Sequence, residues 1–178
     1  MEKTTVGFRT HSGWAVAVAM AGGEPVERRR IELCDCLIAG SAQPYHAAAR
    51  MPFRQAEAHV KRCEEISAAM AEAAVRKLVK DLAAKGYGVT GCSILLASGR
   101  PPGDLAKILA AHTLIHTAEG EFYRAAVREA CRRCELPVHG IKERELCPLV
   151  GDVAGFGKAM GPPWRADEKL CALAAMRV

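Results

Sequence analysis

The chain has 178 residues, half of them hydrophobic and a quarter charged, with a formal net charge of +5. That is the make-up of one globular domain, 1–178, with enough apolar content for a sizeable core. The modest positive charge permits a polyanionic partner but lacks the basic excess of a dedicated nucleic-acid-binding domain, and aromatics at 5% argue against a stacking platform for single strands.

At the start, Glu2 to Thr5 is polar, and Arg9 and His11 break the first apolar run, which argues against a signal peptide. The run "WAVAVAMAGG" is too short to cross a bilayer, so no membrane partner is expected and the expected location is cytoplasmic. Val6-Gly7-Phe8 begins a strand, Trp14 to Met20 alternates as a second, and Val26 to Leu33 reads as a third after the turn Ala21 to Pro25. Between the first two lies the polar tip Arg9 to Gly13.

The segment from Cys34 to Pro52, with Gly40, Ser41 and Pro44, is expected to be irregular. Phe53, Ala56, Val60, Cys63, Ile66, Met70, Val75, Leu78 and Leu82 recur at helical spacing and predict a helix from Phe53 to Lys85, stopped by Gly86 and Gly88. Val89 to Ala97 is the unbroken apolar run of a strand covered on both faces. Asp104 is placed to cap a helix from Leu105. Helical character runs on to about Cys134 with an expected break near Glu119-Gly120-Glu121. Leu136 to Ile141 is a fifth strand, and the segment 142–157 holds a short helix and a glycine-rich loop. A last helix is predicted with Asp167 as its cap and Leu170, Leu173 and Met176 on its buried side.

The order β-β-β-α-β-α-β-α predicts an α/β fold: a mixed sheet, with an antiparallel three-strand meander followed by parallel crossovers, and helices on both faces. The cysteines Cys63, Cys92, Cys131 and Cys171 fall within apolar patterns and read as reduced, buried thiols. Cys34-x-Cys36 is too tight for a usual zinc knuckle to complete with Cys131-x-x-Cys134.

Three stretches, "EGEFYRAAVREACRRC" running into "ELPVHGIKEREL" and the closing "RADEKLCALAAM", together with the element order, resemble the ribonuclease H-like superfamily and, in the second half, RuvC-type Holliday-junction resolvases. The resemblance implies a ribonuclease H-like fold, nucleic acid as a partner and a carboxylate cluster holding two divalent metals, magnesium or manganese. It places one carboxylate on the first strand, one at the end of the fourth and one or two on the last helix. The first position falls here on Arg9 and the second on Ala97 or Ser98, so only Asp167, with Glu168 beside it, matches. A guanidinium in place of an acid repels a cation.

Ligands in such sheets sit beyond the carboxyl ends of the parallel strands. The polar residues expected there are Arg9, His11, Ser98, Arg100, Glu143 and Asp167, a set suited to a phosphate or carboxylate, though equally readable as ordinary loop polars. Ser98 lacks the surroundings of a nucleophile elbow. His112, His116 and Glu119 share one helix face at metal-ligand spacing, with no recognised motif. Glu119 or Glu121 can alternatively reach the strand-end pocket and join Asp167 as catalytic acids in place of the missing ones. Arg124, Arg128 and Arg132 form a guanidinium stripe, and Arg28-Arg29-Arg30 a second basic patch; both suit a phosphate backbone, or a solvated face balanced by Glu121, Glu129 and Glu135. Three readings stay open: a binding protein for nucleic acid or a phosphate-bearing ligand, a metal-dependent nuclease or hydrolase with relocated ligands, and a structural or interaction protein.

Overall fold

A computed structural model describes residues 1–97 and 103–178. Strands β1 (Glu2–His11), β2 (Trp14–Ala21) and β3 (Glu24–Glu32) form an antiparallel meander. Strands β4 (Tyr87–Leu96) and β5 (Val138–Lys142) continue the sheet in parallel on the other side of β1, in the order β3-β2-β1-β4-β5. The helices are α1 (Pro44–Ala48), α2 (Phe53–Ala84), α3 (Leu105–Leu109), α4 (His112–Arg133), α5 (Glu143–Leu146), α6 (Gly157–Met160) and α7 (Ala166–Ala175). This is the mixed sheet expected of a ribonuclease H-like chain, with the antiparallel meander and the parallel crossovers falling where the sequence pattern places them.

The period-2 alternation of the strands decides what each face carries. Val6 and Phe8 of β1, Ala15, Ala17 and Ala19 of β2, and Cys92 and Ile94 of β4 point to α2 and α4 and make the main core. Val16, Val18 and Met20 point the other way, onto Cys171, Ala172 and Ala175 of α7. Leu95 also lies on that second side, against Leu170, Leu173 and Ala174. The run 91–95 of β4 is buried throughout, as a strand covered on both faces must be. No helix among the described residues is long and apolar enough to cross a membrane.

Several local expectations change. The buried stripe of α2 runs through Ala56, Val60, Cys63, Ser67, Ala71, Val75, Leu78 and Leu82. Ile66 and Met70 are only half-buried and Phe53 is exposed. The small residues Ser67 and Ala71 let the helix lie close, where a bulkier side chain would hold it off. Helix α4 has no break at Gly120; the interruption falls at Ala110 and Ala111. A glycine costs a helix about 1 kcal/mol, which the burial of Ala118, Phe122 and Tyr123 outweighs. Asp104 does cap α3, its carboxylate accepting from the Lys107 N–H at 2.9 Å. The cap of α7 is Arg165 rather than Asp167, which lies in the first turn, and Met176 just past the helix is exposed. The stretch 34–52 contains the short helix α1, begun by Pro44. All eight cysteines are free.

Candidate functional site

Because Val6 and Phe8 face α2 and α4, the odd-numbered residues of β1 face α7. Thr5 donates to the Ala175 carbonyl oxygen at 2.7 Å, and Gly7 lies directly beneath the Cys171 carbonyl. Arg9 and His11 follow at the strand's carboxyl end. There the Arg9 guanidinium donates from Nε to Glu143 Oε2 at 3.1 Å, from Nη2 to Glu143 Oε1 at 2.8 Å, and from Nη1 to Asp167 Oδ1. His11 Nε2 meets the other oxygen of Asp167 at 3.0 Å. Arg9, His11, Glu143 and Asp167 thus converge, brought by β1, by the start of α5 directly after β5, and by the first turn of α7. Burial alone would lower the Arg9 pKa, but the hydrogen bonds and charges of Glu143 and Asp167 outweigh it and raise it. Ser98 and Arg100 lie outside the described residues.

This edge does not fit a pair of divalent cations. The oxygens such ions need are taken by a guanidinium that is itself a fixed positive charge. Glu168 is no reserve ligand either: it is buried and its Oε2 accepts the Arg165 backbone N–H at 2.8 Å, fixing the start of α7.

Beside the cluster, the His11 ring stacks on Trp14 at 4.1 Å between centroids, 14° from parallel. The Arg30 guanidinium also lies on Trp14, 3.9 Å from its centroid. Trp14 did not stand out in the sequence as a site residue, and Arg30 did so only as part of the basic patch Arg28-Arg29-Arg30. The signal was the hairpin register, which pairs His11 with Trp14 and Val16 with Arg30 and so sets all three on the α7 face.

Glu119 and Glu121 do not join Asp167. They sit on α4, across the sheet from α7. Glu121 pairs with Arg124 at 3.0 Å and Arg128 at 3.1 Å. Glu119 is buried, and its Oε1 accepts from the backbone N–H groups of Tyr45 at 2.8 Å and His46 at 3.0 Å, holding the first turn of α1. The same oxygen meets His46 Nδ1 at 3.2 Å. Desolvation raises the Glu119 pKa, against the lowering effect of these hydrogen bonds. The expected trio of His112, His116 and Glu119 is therefore corrected: the carboxylate is turned to α1, and His46 takes the third place. His46, His112 and His116 each bring one ligand nitrogen, all within 4.8 Å of one another. His46 escaped notice because it lies 66 residues before His112 in a segment without periodicity.

The basic stripes are largely self-neutralised. Arg124 and Arg128 share Glu121, while Arg132 reaches Glu129 only at 3.9 Å and stays exposed. In the other patch, Arg28 donates to the carbonyls of Gly161, Pro162 and Pro163 and so pins the approach to α7. Arg29 pairs with Asp81 and Glu27, and Arg30 with Glu32 at 2.6 Å.

The sequence matches no family model and no curated protein. Among solved structures, similar ones include Thermus thermophilus RuvC in complex with a Holliday-junction substrate, at 12% identity, covering 97% of this chain and 92% of that one with a TM-score of 0.49. A second Thermus thermophilus RuvC structure is similar at 8% identity, covering 97% and 91% with a TM-score of 0.48. The ribonuclease H-like assignment rests on the strand order and directions described above.

Proposed function

We propose that this chain is a ribonuclease H-like binding protein whose strand-end edge takes a phosphate group, on nucleic acid or on a smaller phosphate-bearing ligand, without two-metal cleavage at that edge. The observation that carries this reading is the position of Arg9. It stands at the end of β1, where the resemblance requires an acid, and Glu143 and Asp167 hold its guanidinium in one orientation. A guanidinium has five N–H groups; three are engaged here, so two are left for an incoming oxygen. His11 and the Arg30–Trp14 pair stand beside it. Two carboxylates outnumber the one guanidinium, so recognition rests on the directed N–H groups and not on a positive field.

The test is binding of labelled duplex and branched DNA, and of a nucleoside diphosphate, over a series of salt concentrations, with cleavage assayed in magnesium and manganese. Arg9→Ala is expected to weaken binding of the probes at every salt concentration, because it removes the directed N–H donors. No cleavage is expected. Metal-dependent cleavage abolished by Asp167→Asn, or binding to all three probes that is indifferent to Arg9→Ala, would sink the reading.

A further inference from the structure

We infer that His46, His112 and His116 form a transition-metal site, best suited to zinc, on the face of the sheet opposite the Arg9 cluster. His112 and His116 stand one helical turn apart on α4, with their Nε2 atoms 2.9 Å apart. The His46 ring comes from α1 and packs edge-on to both, at 5.6 and 4.8 Å between centroids. Three imidazole nitrogens at about 2.0–2.1 Å from a tetrahedral zinc lie about 3.3 Å apart. The three ligand nitrogens lie within 4.8 Å of one another, so small side-chain rotations reach that geometry. All three rings point outward enough for an ion to enter: His46 is half-buried, His112 and His116 are exposed.

What lies behind the rings makes this more than a surface cluster. Metal-binding histidines characteristically give their second ring nitrogen to a carboxylate, which fixes the tautomer and strengthens the ligand. Glu119 does this for His46: with Nδ1–H donated to Oε1, the lone pair is left on Nε2, the nitrogen available to a metal. Glu119 is 5% exposed, and its other oxygen, Oε2, is buried without a hydrogen-bond partner among the described residues. A buried carboxylate with one oxygen unsatisfied is costly unless a positive charge stands near it. No lysine or arginine pairs with Glu119 among the described residues; a dication on the three imidazoles supplies that charge. Imidazoles alone favour zinc or a neighbouring first-row metal over magnesium, which prefers oxygen. Three protein ligands leave a fourth position for water or a small anion.

The test uses the whole chain, stripped with chelator and kept reduced, titrated with zinc by calorimetry and with cobalt(II) by visible absorption. One equivalent is expected to bind, with a tetrahedral cobalt spectrum and no thiolate charge-transfer band. His112→Ala and His116→Ala alter exposed side chains and leave the fold intact by circular dichroism; each is expected to weaken binding at least about tenfold, and Glu119→Gln by about 10- to 100-fold. A titration without a one-equivalent step, a step unchanged in the His112→Ala, His116→Ala double variant, or one that carries the thiolate band overturns the site.

Discussion

Arg9 and Glu143 meet side-on through two hydrogen bonds, Nε to Oε2 at 3.1 Å and Nη2 to Oε1 at 2.8 Å, across 134 residues of sequence. The pair therefore ties β1 to the end of β5. Because both side chains keep a quarter to a third of their exposure, solvent screening holds the gain to the lower part of the charge-assisted range. Arg9→Ala is expected to cost about 1–2 kcal/mol in urea unfolding. A double-mutant cycle with Glu143→Ala is expected to show a coupling of about 0.5–1 kcal/mol. Strict additivity in that cycle would remove the pair as a tie between the two strands.

Gly7 has no room for a side chain. A Cβ there would fall inside the Cys171 carbonyl, with the Ala175 nitrogen 3.0 Å away. The obstruction is helix backbone, which cannot rotate aside. Gly7→Ala is expected to destabilise the fold by about 3 kcal/mol or more, in the severe range for overpacking. Thermal unfolding within a degree or two of the parent would show that α7 rides higher on the sheet than described.

Tyr123 is fully buried in the main core, and its hydroxyl donates to the Ser41 carbonyl oxygen at 2.6 Å. That bond fastens the excursion between β3 and α2 to helix α4. Tyr123→Phe keeps the ring and strands the carbonyl, an expected loss of about 1–2 kcal/mol. Limited proteolysis should show earlier nicking near residues 35–43 in the variant, and an unchanged cleavage pattern would contradict the tie.

The buried thiols set an alkaline limit on stability. Burial raises the pKa of Cys63 and of Cys171, and the hydrogen bond with Cys92 followed by burial raises that of Cys131. Below the ordinary thiol range both folded and unfolded chains hold these protons, and the stability is fully present. Above about pH 8.5 the unfolded chain loses them first, and stability falls by up to about 1.4 kcal/mol per thiol for each further pH unit. Thermal unfolding between pH 7 and 10 in reductant should show this decline, shallower in Cys171→Ala. Alkylation at neutral pH should label exposed Cys36 and Cys147 well before the buried four.

How much of this was legible in the sequence follows from the kind of signal each feature leaves. Period-2 runs such as Trp14 to Met20 and the helical stripe of α2 outside its middle turns, Ile66 to Ala71, are set by burial against a whole layer, so they show without the structure. The meeting of Arg9, His11, Glu143 and Asp167 was likewise open to inference, because parallel strands deliver their ends to one edge. That the first two would be spent on the last two was not, since ion pairing depends on side-chain reach rather than on period. Glu119 was misplaced for a related reason. Spacing put it on the face of His112 and His116, but the backbone N–H groups of Tyr45 and His46 compete for its oxygens, and a short proline-started helix has no periodicity to announce it.

The alternation along β1 has one more consequence. Phe8 and Arg9 are neighbours in sequence and stand on opposite faces of the sheet. Sliding the strand by a single position would drive the guanidinium into the apolar core and leave the phenyl ring facing Asp167 and Glu143, while Gly7 left its place beneath α7. Core, helix docking and polar edge are thus written in one frame, as codons are. The chain cannot mis-set its central strand and keep the Arg9 cluster, so a misthreaded copy loses core packing, helix docking and the polar edge together.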